Sequence, residues 1–461
     1  MFYGRIEELR ELKKRYSSKK WEVGIVYGQR RIGKTSLILE SVKNTKHIYL
    51  LCANTTEEDN KKIFSLELNK LLNLPSSYIY REWADIFDGL SNYISKNKLV
   101  IIIDELPFLE KVYPAIISNL QNFIDKNHNN NFKLVLSGSD MSFMEDLIHN
   151  KAKPLYQRNS FQIHLQDLTF KESLDFLKGF KDEDKIKCLS IFGGKPLYLE
   201  MLDKNISFIE NIKTIFFHKF GYLLEAPQMV LPVSWGNGGT YTMILRAIAH
   251  RHRTLTDISG YLNEPTTSIS PYITRMINAR ILEKKEMFKG NQKTRYYKIS
   301  DRMLDFYYGV VYNDLEDIKQ GKGDSVFEKN KERIVSYISH GFEDVVIDYM
   351  NELNMKGKLP DTYREFRKYE VPNSKLNRSV EIDGIAESIT DKKGLIVIED
   401  KFREKDISIN VLNYLKESVS IFEVYSNIHY YLFSKKGFTK DLLKLKDKNV
   451  HLIDINKMIN G

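Results

Sequence analysis

The chain has 461 residues, too many for one typical domain; at roughly 100–200 residues per domain it divides into about three. Hydrophobic residues make up 42% and aromatics 12%, which excludes an intrinsically disordered chain, and the formal charge of +9 with a pI near 9.0 leans toward an anionic partner. Cys52 and Cys188 are the only cysteines, which excludes a disulfide framework and a cysteine-built zinc site and fits a reducing compartment.

The opening "MFYGRIEELREL" is charged at once, without a signal-peptide apolar core, and no apolar run approaches the ~20 residues that cross a bilayer. The expectation is a soluble cytoplasmic protein with no membrane partner. The strongest motif follows: "VGIVYGQRRIGKTSLIL" fits G-x-x-x-x-G-K-[ST], with an apolar strand (Val23 to Tyr27) before it and a helical pattern after it. Gly28, Gln29, Arg30, Arg31, Ile32, Gly33, Lys34, Thr35 and Ser36 form the expected phosphate-binding loop, its backbone N–H groups and the helix N-terminus facing phosphate oxygens. Lys34 is expected on the β- and γ-phosphates of ATP and the Thr35 hydroxyl on Mg²⁺.

A second apolar strand, Leu99 to Ile103, ends in Asp104 and Glu105; Asp104 is expected in the Mg²⁺ shell, and Glu105 as the base that activates water. Three more strands, 47–53, 132–139 and 161–168, complete a parallel α/β sheet. Ser137 or Ser139, ending the second of these, either senses the γ-phosphate or caps the next helix.

The blocks "YGRIEELREL", "GQRRIGKTS", "IIIDELP", "LSGSDMSFMEDLI", "PLYQR" and "FGGKPLYLEML", in this order over roughly 1–232, resemble the archaeal-type ATPases of the STAND branch of AAA-like P-loop NTPases. The resemblance implies that Gly4 and Arg5 lie on the adenine side, that Arg158 faces phosphate, and that Pro196 marks a helical lid over the base. The family often has glycine before that arginine where this chain has Gln157, so Arg158 is either a phosphate contact or an ion-pairing arginine.

From about 240 the pattern shortens to "YTMILRAIAH", "TLTDISGYLN" and "TTSISPYITRMINARILEKKE", at helix-turn-helix spacing, and two strand-like pieces then flank "KGNQKT". This predicts a winged helix. Thr267, Ser268, Ser270 and Tyr272 on one helix, beside Arg275, Arg280, Lys284, Lys285, Lys289, Lys293, Arg295 and Lys298, suit duplex DNA. The competing reading is a winged helix that packs on the nucleotide domain and touches no DNA.

A helical linker (313–335) leads to a helix at 335–353 that carries Glu343, then a polar stretch with "YREFRKYEV". "SVEIDGIAESIT" and "LIVIEDKF" read as strands around the turn "DKKG", followed by a helix (409–422) and a strand (428–434). If the two strands pair, Asp383 approaches Glu399; together they would hold Mg²⁺, with Lys401 on the same strand face orienting or activating water. This order resembles the PD-(D/E)XK nuclease fold and the C-terminal domain appended to many archaeal-type ATPases, over about 325–461.

The expected architecture is α/β: a P-loop NTPase parallel sheet at 1–168, a helical lid at 169–232, a winged helix at 233–312, a helical linker at 313–335, and a restriction-endonuclease-like α/β domain at 336–461. The expected function is an ATPase that uses ATP and Mg²⁺ and couples its nucleotide state to a nucleic-acid-binding domain, DNA favoured, with or without nuclease activity. The alternative is a regulatory or scaffold ATPase whose nuclease-like domain is inactive and binds DNA or protein. Self-association is left open.

Overall fold

A computed structural model of the chain describes residues 2–231, 239–288, 295–373 and 378–461. It divides into two compact units, Met1–Asp167 and Leu168–Gly461.

The first unit is a parallel sheet of five strands: β1 (Glu22–Tyr27), β2 (His47–Leu51), β3 (Leu99–Asp104), β4 (Phe132–Gly138) and β5 (Phe161–His164), in the order β2-β3-β4-β1-β5. β1, β3 and β4 are buried from end to end because both sheet faces are covered. Alternation divides their side chains between two cores: Ile101, Ile103, Leu134 and Leu136 pack on one face, Val100, Ile102 and Val135 on the other. β2, β4 and β5 end one to four residues before the limits the sequence implies, where the chain turns into the loops at the carboxyl edge.

The second unit begins with short helices and continues with three helices, Gly239–Ala249, Leu255–Leu262 and Thr266–Asn278, the last running through Pro271. An antiparallel pair follows, β6 (Leu282–Glu286) with β7 (Arg295–Ile299). The segment expected as a linker folds into short helices, Leu315–Lys319 and Gly323–Lys329, whose Ile318, Val326 and Phe327 are buried in the unit's core; its apolar side chains make it part of that core. The next helix runs Lys331–Met355.

A mixed sheet of β8 (Arg367–Asn373), β9 (Arg378–Glu387), β10 (Gly394–Lys401), β11 (Asn427–Ser434) and β12 (Val450–Asp454) closes the unit in the order β12-β11-β10-β9-β8. β9 is antiparallel to both neighbours, whereas β10, β11 and β12 are parallel. Ile396 and Ile398 face the main core and Leu395 and Val397 a second one. The stretch read from sequence as merely polar contains β8: Tyr369 packs in the second core while its neighbour Lys368 turns away to Glu343, as an edge strand with one wet face allows. The Phe288 N–H donates to Lys368 O at 2.7 Å and its ring packs on Phe422, so the chain leaving β6 lies along that edge.

Candidate functional site

The loop between β1 and the helix Lys34–Val42 is tightly constrained. Gly33 has φ +89°, a backbone that favours glycine, and a Cβ at Gly28 would stand 2.5 Å from Leu165 O. Arg31 takes φ +69° despite its side chain, and its Nη1 is buried without a hydrogen-bond partner among the described residues. Lys34 is buried, and its Nζ donates to Gly28 O (3.0 Å) and Gln29 O (2.9 Å). Burial lowers the Lys34 pKa, against the pull of Glu105 and Asp104.

Asp104 is fully buried at the end of β3, and four donors meet its carboxylate: Thr35 Oγ1 at 2.7 Å, Tyr49 OH at 2.8 Å, Ser137 Oγ at 2.6 Å and the Glu105 N–H at 3.0 Å. Thr35 and Asp104 are thus within one hydrogen bond of each other, and their all-oxygen chemistry suits Mg²⁺. Phosphate finds an ammonium, an unpartnered guanidinium nitrogen and a tight loop, so ATP with Mg²⁺ fits the residues present.

Glu105 holds φ +54°, and its Oε2 accepts from the Ser139 N–H (3.2 Å) and Oγ (2.8 Å). Both serines therefore serve the acidic pair, and the following helix is capped by Asp140, which accepts from the Phe143 N–H. Tyr49 escaped the sequence reading; its signal was alternation, since β2 pairs with β3 and Tyr49 lies opposite Ile102, on the face Asp104 shares.

The remaining residues expected at the nucleotide have the following surroundings. Gly4 and Arg5 form a left-handed turn, and the buried Arg5 guanidinium donates to Ile32 O, Gln166 O and Glu8. It ties the N-terminal turn to the phosphate-binding loop at Ile32. Arg158 is likewise engaged, by Asp125 at 2.9 and 3.0 Å and by Pro154 O, so its fork closes on a carboxylate and not on phosphate. Gln157 adopts φ +59°, the backbone for which glycine is suited. Pro196 opens a short helix of the second unit, where its neighbour Lys195 pairs with Asp301 at 3.3 Å.

The second centre lies on β9 and β10. Their register pairs Ile398 with Gly384, and one step further sets Glu399 opposite Asp383. Lys401 Nζ is 2.6 Å from Glu399 Oε1 and 3.7 Å from Asp383 Oδ2, and the Asp400 N–H donates to Asp383 at 3.0 Å. Asp383, Glu399 and Asp400 are all more than nine-tenths buried. Burial, then the Asp383 charge, push Glu399 up to about 7; burial also raises Asp383, and raises Asp400 well above the carboxylate range. Burial works to lower Lys401, but Asp383 and Glu399 outweigh it and the ammonium is raised. Three carboxylates thus share Lys401, while Lys368 is taken by Glu343.

Among the described residues no three acidic, imidazole or thiol groups converge as metal ligands, so a cation here rests on Asp383 and Glu399 completed by backbone carbonyl and water. Asp400 Oδ2 is also buried and without a hydrogen-bond partner among those residues, but it does not converge with the other two carboxylates as a ligand. The set fits Mg²⁺.

The basic residues of the hairpin are mostly neutralised within the unit. Lys285 pairs with Glu283 (3.1 Å) and Glu365 (3.5 Å), Arg295 with Glu286 (2.9 Å) and Lys298 with Asp344 (2.5 Å). Lys284, Arg275 and Arg280 are exposed, Arg275 over the Tyr272 ring. Thr267, Ser268 and Ser270 are exposed on their helix, whereas Lys289 and Lys293 lie outside the described residues.

Residues 2–202 match a family described as an ATPase domain predominantly from Archaea, and residues 307–414, which include Asp383, Glu399 and Lys401, match one described as archaeal and bacterial proteins of unknown function. The uncharacterized protein MJECL04 of Methanocaldococcus jannaschii is 31% identical over 409 residues, 86% of this chain and 87% of that one. The uncharacterized ATP-binding protein PYRAB12000 of Pyrococcus abyssi is 26% identical over 229 residues, 43% of this chain and 68% of its own. In fold the chain resembles a Walker-type ATPase of Pyrococcus abyssi (TM-score 0.52, 17% identity, 67% of this chain and 96% of the other). No helix among the described residues is long and apolar enough to cross a membrane. With a P-loop, a paired acid strand end and these relatives, the chain belongs to the archaeal ATPase family, alongside the Methanocaldococcus jannaschii protein, and joins its P-loop ATPase domain to a C-terminal domain of the second family.

Proposed function

We propose that this protein hydrolyses ATP as a switch and couples its nucleotide state to a C-terminal, Mg²⁺-dependent nuclease-like domain that engages nucleic acid. In the ATPase domain, Lys34 exchanges the Gly28 and Gln29 carbonyls for phosphate oxygens, and Thr35 with Asp104 holds Mg²⁺. Glu105 takes the proton of the attacking water; Ser139 fixes its carboxylate until then and is the element that a γ-phosphate displaces. Arg158 acts in this scheme only if its Asp125 pair opens.

The observation that carries the nuclease reading is the Asp383–Glu399–Lys401 constellation on paired strands, with Lys401 Nζ 2.6 Å from Glu399 and 3.7 Å from Asp383. A metal ion held by Asp383 and Glu399 supplies Lewis-acid polarisation of a phosphodiester. Lys401 orients the attacking water, and the raised carboxyl of Glu399 matches a group that gives up its proton near neutrality. The three helices and the β6–β7 hairpin are read as a winged helix, in which Thr267, Ser268 and Ser270 offer the exposed face for a duplex. The cytoplasm, rich in nucleotide and Mg²⁺, is its proposed compartment.

One contact favours a second reading, a domain that binds nucleic acid or protein without cutting: Lys401 stands against Glu399 as an ion pair, which stabilises a carboxylate without any metal. Cleavage of single- and double-stranded DNA with Mg²⁺ or Mn²⁺, with and without ATP, separates the two. Cleavage lost in Lys401→Ala and altered in Glu105→Gln supports the coupled nuclease. No cleavage in any condition, with ATP turnover intact, leaves the binding domain.

A further inference from the structure

Within the second unit, a cleft lies between the β6–β7 region and the helix Lys331–Met355. Its walls carry Arg251, Arg253, Lys298, Arg302 and Lys368 against Asp305, Glu343 and Asp344, so cations outnumber acids. Four of the five cations are engaged. Lys298 pairs with Asp344 at 2.5 Å, Arg302 with Asp348 at 2.6 Å, Arg251 with Asp305 at 3.7 Å, and Lys368 with Glu343. Although burial works to raise Asp344, Lys298 and Arg302 outweigh it and hold its carboxyl well below the usual range, so these walls are fixed ion pairs.

Arg253 is different: among the described residues its guanidinium has no hydrogen-bond or ion-pair partner. The Tyr296 phenol in the same wall is nine-tenths buried, likewise has no hydrogen-bond partner among those residues, and burial raises its pKa, so it remains an O–H donor. A free planar fork beside a free phenol, set in a wall with cations in excess, matches a small tetrahedral oxyanion and not a cation or an apolar group.

We propose that this cleft is a phosphate-binding site, with Arg253 and Tyr296 as the direct donors and the paired cations as the surrounding field. Lys368 and Glu343 belong both to this cleft and to the electrostatic surroundings of Asp383 and Asp400. A phosphate held here therefore lies beside the carboxylate centre, where the backbone of a nucleic acid presents one on each nucleotide. The nucleic-acid source rests on the function proposed above; the phosphate chemistry does not.

The test uses the full chain, as wild type, Arg253→Ala, Arg253→Lys and Tyr296→Phe, with circular dichroism and melting temperature showing that each variant folds. Inorganic phosphate is the first probe, and a short labelled oligonucleotide, single- and double-stranded, the second. The expected result is that millimolar phosphate raises the wild-type melting temperature by a few degrees, Arg253→Ala not at all, and the other two variants partly. Oligonucleotide affinity falls several-fold in Arg253→Ala and the salt slope flattens by about one, with ATP turnover unchanged. A phosphate shift that depends on Arg253 while oligonucleotide binding stays unchanged supports a site for free phosphate. The same Arg253-dependent shift in a protein that cleaves nothing supports the site and removes the nuclease. Equal protection of wild type and Arg253→Ala, or protection of neither, overturns the proposal.

Discussion

Both centres of this molecule place buried carboxylates at the carboxyl end of an apolar strand, yet they solve the desolvation problem in opposite ways. Asp104 receives four neutral donors, from Thr35, Tyr49, Ser137 and the chain itself, so its charge is solvated by the protein. Asp383, Glu399 and Asp400 are buried beside Lys401; burial raises all three, and the Asp383 charge adds to it at Glu399 and Asp400. The first is a pre-built socket that tolerates its own charge. The second is under electrostatic load that a proton or a cation relieves, and that difference separates a site shaped for geometry from one shaped for charge.

The largest expected effect breaks the first centre chemically while leaving its geometry in place. Glu105→Gln should lower ATP turnover by about 10²–10⁴-fold, the usual contribution of a positioned base, with nucleotide binding retained by equilibrium titration. Loss of binding in step with turnover would instead make Glu105 a structural residue.

The next sharpens the contrast through pH. Glu399 holds its proton to about 7 in the folded chain, against ~4.3 in an unfolded one. That extra proton affinity stabilises the fold fully below ~4.3, and the gain disappears as pH rises through 7. Without divalent metal, unfolding of the C-terminal domain should therefore be easier at pH 8 than at pH 5, by about 2–3 kcal/mol from this group. Glu399→Gln should flatten that dependence, and Mg²⁺ should raise the melting temperature more at pH 8 than at pH 5. A pH-independent wild type in that range would mean that the centre carries no such load.

A smaller effect is expected at Ser139. Removing its hydroxyl frees Glu105 Oε2 from one of its two donors, and Ser139→Ala should change kcat by about tenfold with little change in KM, as loss of one positioning hydrogen bond does. The smallest concerns Gln157, at φ +59°: Gln157→Gly should stabilise the first unit by about 1 kcal/mol or less in denaturant unfolding. Destabilisation would show that the Gln157 side chain contributes more than the backbone costs.

Much of the first unit was legible before the fold. Continuous apolar strands, a glycine-rich turn and an acidic strand end are local signals, and the strand cores fall where the runs lie. Legibility failed where long-range partners decide a role. Arg158 carries the chemistry of a phosphate contact, but Asp125 claims it, and the Arg5 guanidinium is held by Ile32 O and Gln166 O. β8 was missed because an edge strand with charged side chains on its wet face lacks an apolar run, and β12 was not foreseen at all.

The sequence by itself determined the parallel strands, the phosphate-binding loop and the acidic pair Asp104–Glu105, because each is encoded within a few consecutive residues by hydrophobic run, glycine and charge. It also aligned Asp383 with Glu399, through strand alternation and a short hairpin. Only the tertiary structure decided that Tyr49 and Ser137 serve Asp104, that Asp400 is buried within reach of the Asp383 charge, and that Lys285 and Lys298 are spent on acids of the same unit. A charge takes its role from whichever opposite charge or carbonyl the fold brings within ~4 Å, and that partner can lie a hundred residues away.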